Sequence, residues 1–246
     1  MPTKVIDNAD SVREVVQEVT SRNKIPLIFI DLEGENLSRH GSIAIVSVLI
    51  PPNPTIYLLD VHELQSRAFD TAAAGGLTWR SILESEEHPK VFFDVRNDSD
   101  ALYSHFSIAL RGVVDLQLLE FATRPGRGRY VKGLSKCILE SSFLSAEERS
   151  SWRRGKDEGI KQFAPEHGGT YRVFFKRPLS TALQSYCAED VLKLPGLLSA
   201  YSGTIKPHLA AQVGEEALHR VTLSQGVYFN GKGKHMAVGP DFTWTM

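Results

Sequence analysis

Asp31 and Glu33, two residues apart in IFIDLEGEN, close an otherwise apolar run. In a strand, side chains two apart point to one face, so these carboxylates project together and invite a cation. A solvated strand end before the turn at Gly34 would carry the same letters. In NDSDALYSHFSIAL, a helix starting near Asn97 gathers Asp98, Ala101, Leu102, His105, Phe106 and Ala109 on one face, with Asp100 and Ser104 on another. Asp98 is then an inward carboxylate at a helix N-terminus, serving either a site or the helix itself as a cap or dipole partner. In LQSYCAEDVLKL, Tyr186 and Asp190 lie one helical turn apart, on the face of Leu183 and Leu194, while Glu189 points elsewhere. A core tyrosine beside a surface aspartate is the plain alternative.

The elements that must position these residues follow from periodicity and turn signals. Valines 12, 15, 16 and 19 predict a first helix, with Ser11 as its cap and Glu14 three residues on. Residues 25–31, 42–50 and 56–61 read as three strands joined by short loops, an antiparallel meander. Residues 78–85 read as helix, 90–95 as a buried strand, 98–110 as helix and 113–116 as a short strand, a βαβ unit. The expected fold class is therefore α/β, a mixed sheet flanked by helices. Residues 123–176 read as a loop-rich, basic excursion containing RPGRGRY and SSWRRGK, and helix returns over 179–201, interrupted at Pro195. Residues 1–202 are expected to form the main domain. Residues 203–246 are expected to be an appendage packed on it, with the turn Asn230-Gly-Lys-Gly-Lys234.

Composition excludes several classes. A chain of 246 residues with 42% hydrophobic content buries one sizeable core, and its net charge of −1 gives no global basic field, so any nucleic-acid site is a local patch. Cys137 and Cys187 stand apart from any Cys/His cluster, which predicts two free thiols in a reducing compartment and no structural zinc. The N-terminal residues lack the pattern of a signal peptide, and no apolar run reaches about 18 residues. The expectation is a protein of the nucleus or cytoplasm. GxxxxGK[ST] is absent, and Gly126-Arg-Gly128 and Gly231-Lys-Gly233 lack the strand–helix context of a phosphate cradle. No nucleophile elbow or paired histidines occur, so His40, His105 and His167 read as structural or exposed.

Taken in order, the motifs resemble the RNase D-like, DEDDy branch of the 3'-5' exonucleases, in particular its eukaryotic exonuclease-domain and Egalitarian-like subgroup. The first motif of that family resembles Phe29-Ile-Asp31-Leu-Glu33, and the second resembles the stretch from Val91 through Asp98 to Leu102. The third resembles Tyr186-Cys-Ala-Glu-Asp190 behind the lead-in Arg177-Pro178-Leu179. Asp115-Leu116-Gln117 resembles a further family aspartate. The likeness spans residues 25–200. Phe93-Asp94 departs from the histidine-containing stretch of many relatives, and residues 42–48 lack a frequent glutamine.

The resemblance implies an RNase H-like fold and a divalent-metal-dependent 3'-5' exonuclease of single-stranded nucleic acid with a free 3' end, RNA preferred over DNA. Two Mg²⁺ or Mn²⁺ ions would be held by Asp31, Glu33, Asp98 and Asp190. Within this family pattern Asp31, Glu33 and Asp190 hold the ion that activates water, Asp31 bridges to the second, Asp98 acts through that ion's water shell, and Tyr186 orients the attacking water. Tyr130, Trp152, Arg127, Arg129, Arg153, Arg154, Tyr171 and Lys176 are candidate contacts to the strand. An inactive RNA-binding scaffold of the same fold is the rival reading.

Overall fold

The computed structural model describes residues 2–20, 24–126 and 128–243. Six strands form one mixed sheet: β1 (Thr3–Ile6), β2 (Ile28–Glu33), β3 (Ile45–Leu49), β4 (Ile56–Asp60), β5 (Lys90–Phe92) and β6 (Val113–Asp115), in the spatial order β1-β4-β3-β2-β5-β6. The meander is real: β2 pairs antiparallel with β3, and β3 with β4. β5 then runs parallel to both β2 and β6. The short edge strand β1, parallel to β4, has no counterpart in the sequence reading, because four residues of TKVI carry too little periodicity to register.

Among the described residues, ten α-helices cover the two faces: α1 (Ala9–Thr20), α2 (Val61–Leu64), α3 (Arg67–Asp70), α4 (Trp79–Leu83), α5 (Arg96–Phe106), α6 (Leu116–Thr123), α7 (Leu134–Glu140), α8 (Ala146–Phe163), α9 (Thr181–Ser202) and α10 (Pro207–Gln225). The four valines of α1 are buried as their spacing requires. Its cap, however, is Asn8, whose Oδ1 accepts from the Ser11 backbone N–H at 3.0 Å. The pleat of β2 divides the core. Ile28, Ile30 and Leu32 join the cluster beneath α1, α4 and α5, whereas Phe29 joins Leu183, Tyr186, Val191 and Leu194 of α9 on the other face. Asp31 and Glu33 share the parity of Phe29, so they face α9.

Several boundaries differ from expectation for physical reasons. β5 stops at Phe92, because Asp94 adopts a left-handed φ of 61° and its N–H donates to Asp115 Oδ1 at 3.0 Å. α5 runs from Arg96 to Phe106, ending in a left-handed Ser107, so Ala109 lies beyond it. Its buried arc is wider than spacing suggested: Ser99 and Asp100 are buried and His105 is exposed. The flank carrying Asp100 is covered by α10 and by Arg39, which donates to both Asp100 carboxylate oxygens. The excursion at 123–176 contains α7 and the 18-residue α8, opened by a reciprocal Ser145–Glu148 capping box. Pro195 sits inside α9 without ending it. α10 packs on α5, α6 and β6, contributing Leu209, Val213 and Ala217 to the core on the α9 side.

Candidate active site

The end of β2 and the middle of α9 meet. One carboxylate oxygen each from Asp31, Glu33 and Asp190 lie within 4.8 Å of one another. Strand parity brings the first two, and helix spacing brings the third: Leu183, Tyr186, Asp190 and Leu194 are all buried on the face α9 turns toward β2. The surface-aspartate alternative is thereby excluded. α9 is anchored by its lead-in, where the Arg177 guanidinium forks onto both oxygens of fully buried Asp60 at the end of β4. Asp98, the third residue of α5, is buried but stands outside the three-carboxylate set. It is nevertheless near enough that its charge raises the pKa of Glu33 and that of Asp31 raises its own.

Electrostatically the group is unfinished. Asp31 and Glu33 keep a solvent-facing edge, yet the surrounding protein strips much of their hydration. Desolvation, followed by the charge of Asp190, pushes Asp31 up to about 7. Desolvation and then the charge of Asp31 push Glu33 well above the usual carboxylate range, and Asp98 rises through burial, then Asp31 and Asp94. Asp190 Oδ1 is buried without a hydrogen-bond partner among the described residues, as is the Oγ of Ser47, which pairs across the sheet with Asp31. Hard oxygen donors crowded together, one of them orphaned, fit a small divalent cation. Tyr186 lies alongside. Burial and the charges of Glu33, Asp190 and Asp31 drive its phenol far up, so it stays protonated at neutral pH.

Comparison with known proteins supplies the family and the fold. Residues 3–199 match the sequence profile of the 3'-5' exonuclease domain, most of the chain. The chain belongs to the 3'-5' exonuclease family. This exonuclease domain is 25% identical over 141 residues to the piRNA biogenesis protein EXD1 of Bombyx mori, a match covering 54% of this chain and 41% of that protein, so it spans about two fifths of that relative's length. In fold it is similar to Trypanosoma brucei RNase D solved with GMP, at a TM-score of 0.76 and 20% identity over 96% of this chain and 69% of that one. The same RNase D solved with RNA U12 gives a TM-score of 0.71 and 22% identity, covering 100% and 75%. In fold the chain is thus RNase D-like, a mixed sheet flanked by helices of the RNase H-like kind that the resemblance implied. Exonucleases of this family generally use divalent metals, and the exonuclease domain carries an acidic cluster compatible with one.

Lys156, which the sequence reading passed over, enters the acidic cluster of the exonuclease domain from α8. Its ammonium donates to Asp190 Oδ2 and, at 3.1 Å, to the Tyr186 hydroxyl, and it lies 4.2 Å from the centroid of the tyrosine ring. The close approach of α8 depends on Gly159, where a Cβ would fall 2.3 Å from Tyr186 Cδ2. Phe163 of α8 packs edge-on against Tyr186 at 4.9 Å between centroids. A cleft of about 600 Å³ opens beside Glu33, lined in part by Leu37, Phe163 and Tyr171. Of the candidate strand contacts, Tyr171 lines this cleft. Trp152 is buried in the core, and Tyr130 is tied to the C-terminal segment through Val238. Arg129 leans over the Tyr130 ring, Arg153, Arg154 and Lys176 are exposed, and Arg127 lies outside the described residues. Cys137 and Cys187 are free and buried.

Proposed function

We propose that this chain is a divalent-metal-dependent 3'-5' exonuclease of single-stranded nucleic acid, with RNA preferred over DNA. The convergence of Asp31, Glu33 and Asp190 beside Tyr186 carries the reading, and the orphaned Asp190 Oδ1 favours a cation there. Asp31, Glu33 and Asp190 would hold one Mg²⁺ or Mn²⁺, with Asp31 and Asp98 serving a second. Bound divalent ions would offset charge on the phosphate and make water available as a nucleophile near neutral pH. Tyr186, protonated and one turn from Asp190, orients that water through its hydroxyl and removes no proton itself. Lys156 balances part of the acid charge and presents a cation to the incoming phosphate. Leu37, Phe163 and Tyr171 offer apolar surface for a terminal base.

Adding water across the last phosphodiester releases a nucleoside 5'-monophosphate and leaves a new 3'-hydroxyl. The RNA preference draws support from the RNase D complex with RNA U12 and from the piRNA biogenesis relative. Residues 1–202 would form the exonuclease domain and 203–246 a C-terminal part packed on it. Oligonucleotides labelled at the 5' or the 3' end, incubated side by side with Mn²⁺ or Mg²⁺, test the proposal. The 5' label should appear in a descending ladder and the 3' label should leave at once as mononucleotide, with chelator stopping both. Protein that binds the oligonucleotide but shortens it in neither metal would establish the scaffold reading instead.

A further inference from the structure

Beyond α10 the chain turns back over the start of α5, and it is held there at several points. Arg39 donates to the carbonyl of Ser224 in the last turn of α10 and to those of Gly226 and Val227 beyond it, and Arg96 Nη2 donates to the Met236 carbonyl at 2.8 Å. Between these anchors Gly231 rests on Asn97: a Cβ at this position would lie 2.0 Å from Asn97 Oδ1. The next residue, Lys232, lines the cleft that holds Glu33. Its backbone N–H donates to Asn230 Oδ1 at 3.0 Å, His235 Nε2 meets the Asn230 carbonyl at 2.8 Å, and Gly233 takes a φ of 120° that favours glycine. The Asn-Gly-Lys-Gly-Lys stretch is therefore a fixed turn that sets Lys232 on the rim between the Glu33 cleft and a neighbouring hollow beside Arg39 and Asp100.

We propose that this C-terminal strap is a wall of the nuclease cleft and that Lys232 binds a backbone phosphate of the single strand held there. The inference rests on the nucleic-acid reading above and extends it to a residue outside the acidic motifs. The cleft also presents Glu33 and Glu35, and Lys232 is its one cation among the described lining residues. A polyanion entering it meets repulsion that a local positive charge must offset. The Lys232 side chain is exposed and makes no ion pair with any described residue, so its charge is free to act on a ligand. Lys234, on the same turn, does not line the cleft and provides an internal control.

Steady-state trimming of a 5'-labelled oligouridylate across a salt series tests the assignment. Lys232→Ala should raise KM roughly threefold to tenfold with kcat within about twofold. It should also flatten the dependence of log KM on log salt by about 0.7, the value for one lost single-strand phosphate contact. Lys232→Arg should restore both, and Lys234→Ala should change neither. If wild type trims and Lys232→Ala matches it, or if Lys234→Ala loses as much, the strap assignment is wrong while the exonuclease reading stands. A wild type that neither binds nor trims overturns that reading and the strap assignment with it.

Discussion

Two clusters of buried and half-buried acids stand out among the described residues, and they are completed differently. Where β5, β6 and α10 meet, Asp115 accepts the backbone N–H groups of Asp94, Val95 and Gln117 and the Arg220 guanidinium, while Arg96 forks onto both oxygens of Asp94 at 2.5 and 2.6 Å. Two carboxylates meet two guanidiniums, and each Asp115 oxygen accepts two donors. At the end of β2, Asp31, Glu33 and Asp190 crowd together with a fourth acid, Asp98, close behind; Lys156 pairs with Asp190 Oδ2, and Asp190 Oδ1 has no partner among the described residues. A carboxylate finished with donors holds structure together, whereas carboxylates left facing one another are poised for a cation from solution.

Substitution in the two groups should separate activity from stability. Asp190→Asn should reduce trimming at least about a thousandfold while the melting temperature stays at or above that of wild type. Near-wild-type rates at saturating metal would remove Asp190 from the site. Arg220→Met, in the completed group, should do the reverse and cost about 3–5 kcal/mol in urea unfolding, because Asp115 is left buried and uncompensated. A cost under about 1 kcal/mol would show that the backbone donors alone satisfy it. Tyr186→Phe removes a hydroxyl and no charge, so kcat should fall by about 10²-fold with metal binding nearly intact. A loss under about tenfold would make Tyr186 a packing residue against Phe163.

A third buried charge sharpens the contrast at smaller scale. Lys90 is fully buried, donates to the carbonyls of Ile82 and Ser85, and is pushed down to about 7 by desolvation, with Glu86 partly opposing. Its unfolded value is near 10.4, so between about pH 7 and 10 the unfolded chain binds a proton that the folded chain does not. Stability should therefore rise with pH across that window and level off below about 7. Lys90→Met should flatten this slope, which chemical unfolding at stepped pH would read. An unchanged slope would show that its carbonyl partners hold the lysine charged throughout.

Much of the candidate site's geometry was legible because its acids obey local periods. Strand parity aligned Asp31 with Glu33, and a helical turn aligned Tyr186 with Asp190. What escaped depends on tertiary cover or on weak patterning. Asp100 is buried by Arg39 and α10, elements far away in sequence, so the spacing within α5 could not reveal it. Lys156 was missed because α8 is largely charged, with Trp152, Gly159 and Phe163 its buried residues, and reads as loop. The Ser145-x-x-Glu148 capping box was the available signal for that helix. The Gly231-Lys-Gly233 turn was set aside for lacking a phosphate-cradle context, but its place beside Glu33 is set by contacts with Asn97, Arg96 and His235.

The contrast between completed and uncompleted acids is tested most directly by thermal melting of wild type and Asp31→Asn against Mn²⁺ near neutral pH. An ion that binds only the folded site adds RT ln(1 + [L]/Kd), about 2.7 kcal/mol at a hundredfold excess over Kd. Wild type should show a saturable rise in melting temperature. Asp31→Asn, relieved of one repelling charge, should melt no lower than wild type without metal and should lose most of the response. A wild type with no saturable Mn²⁺ shift, even with a single-stranded oligonucleotide present, would contradict the reading of these carboxylates as a metal site.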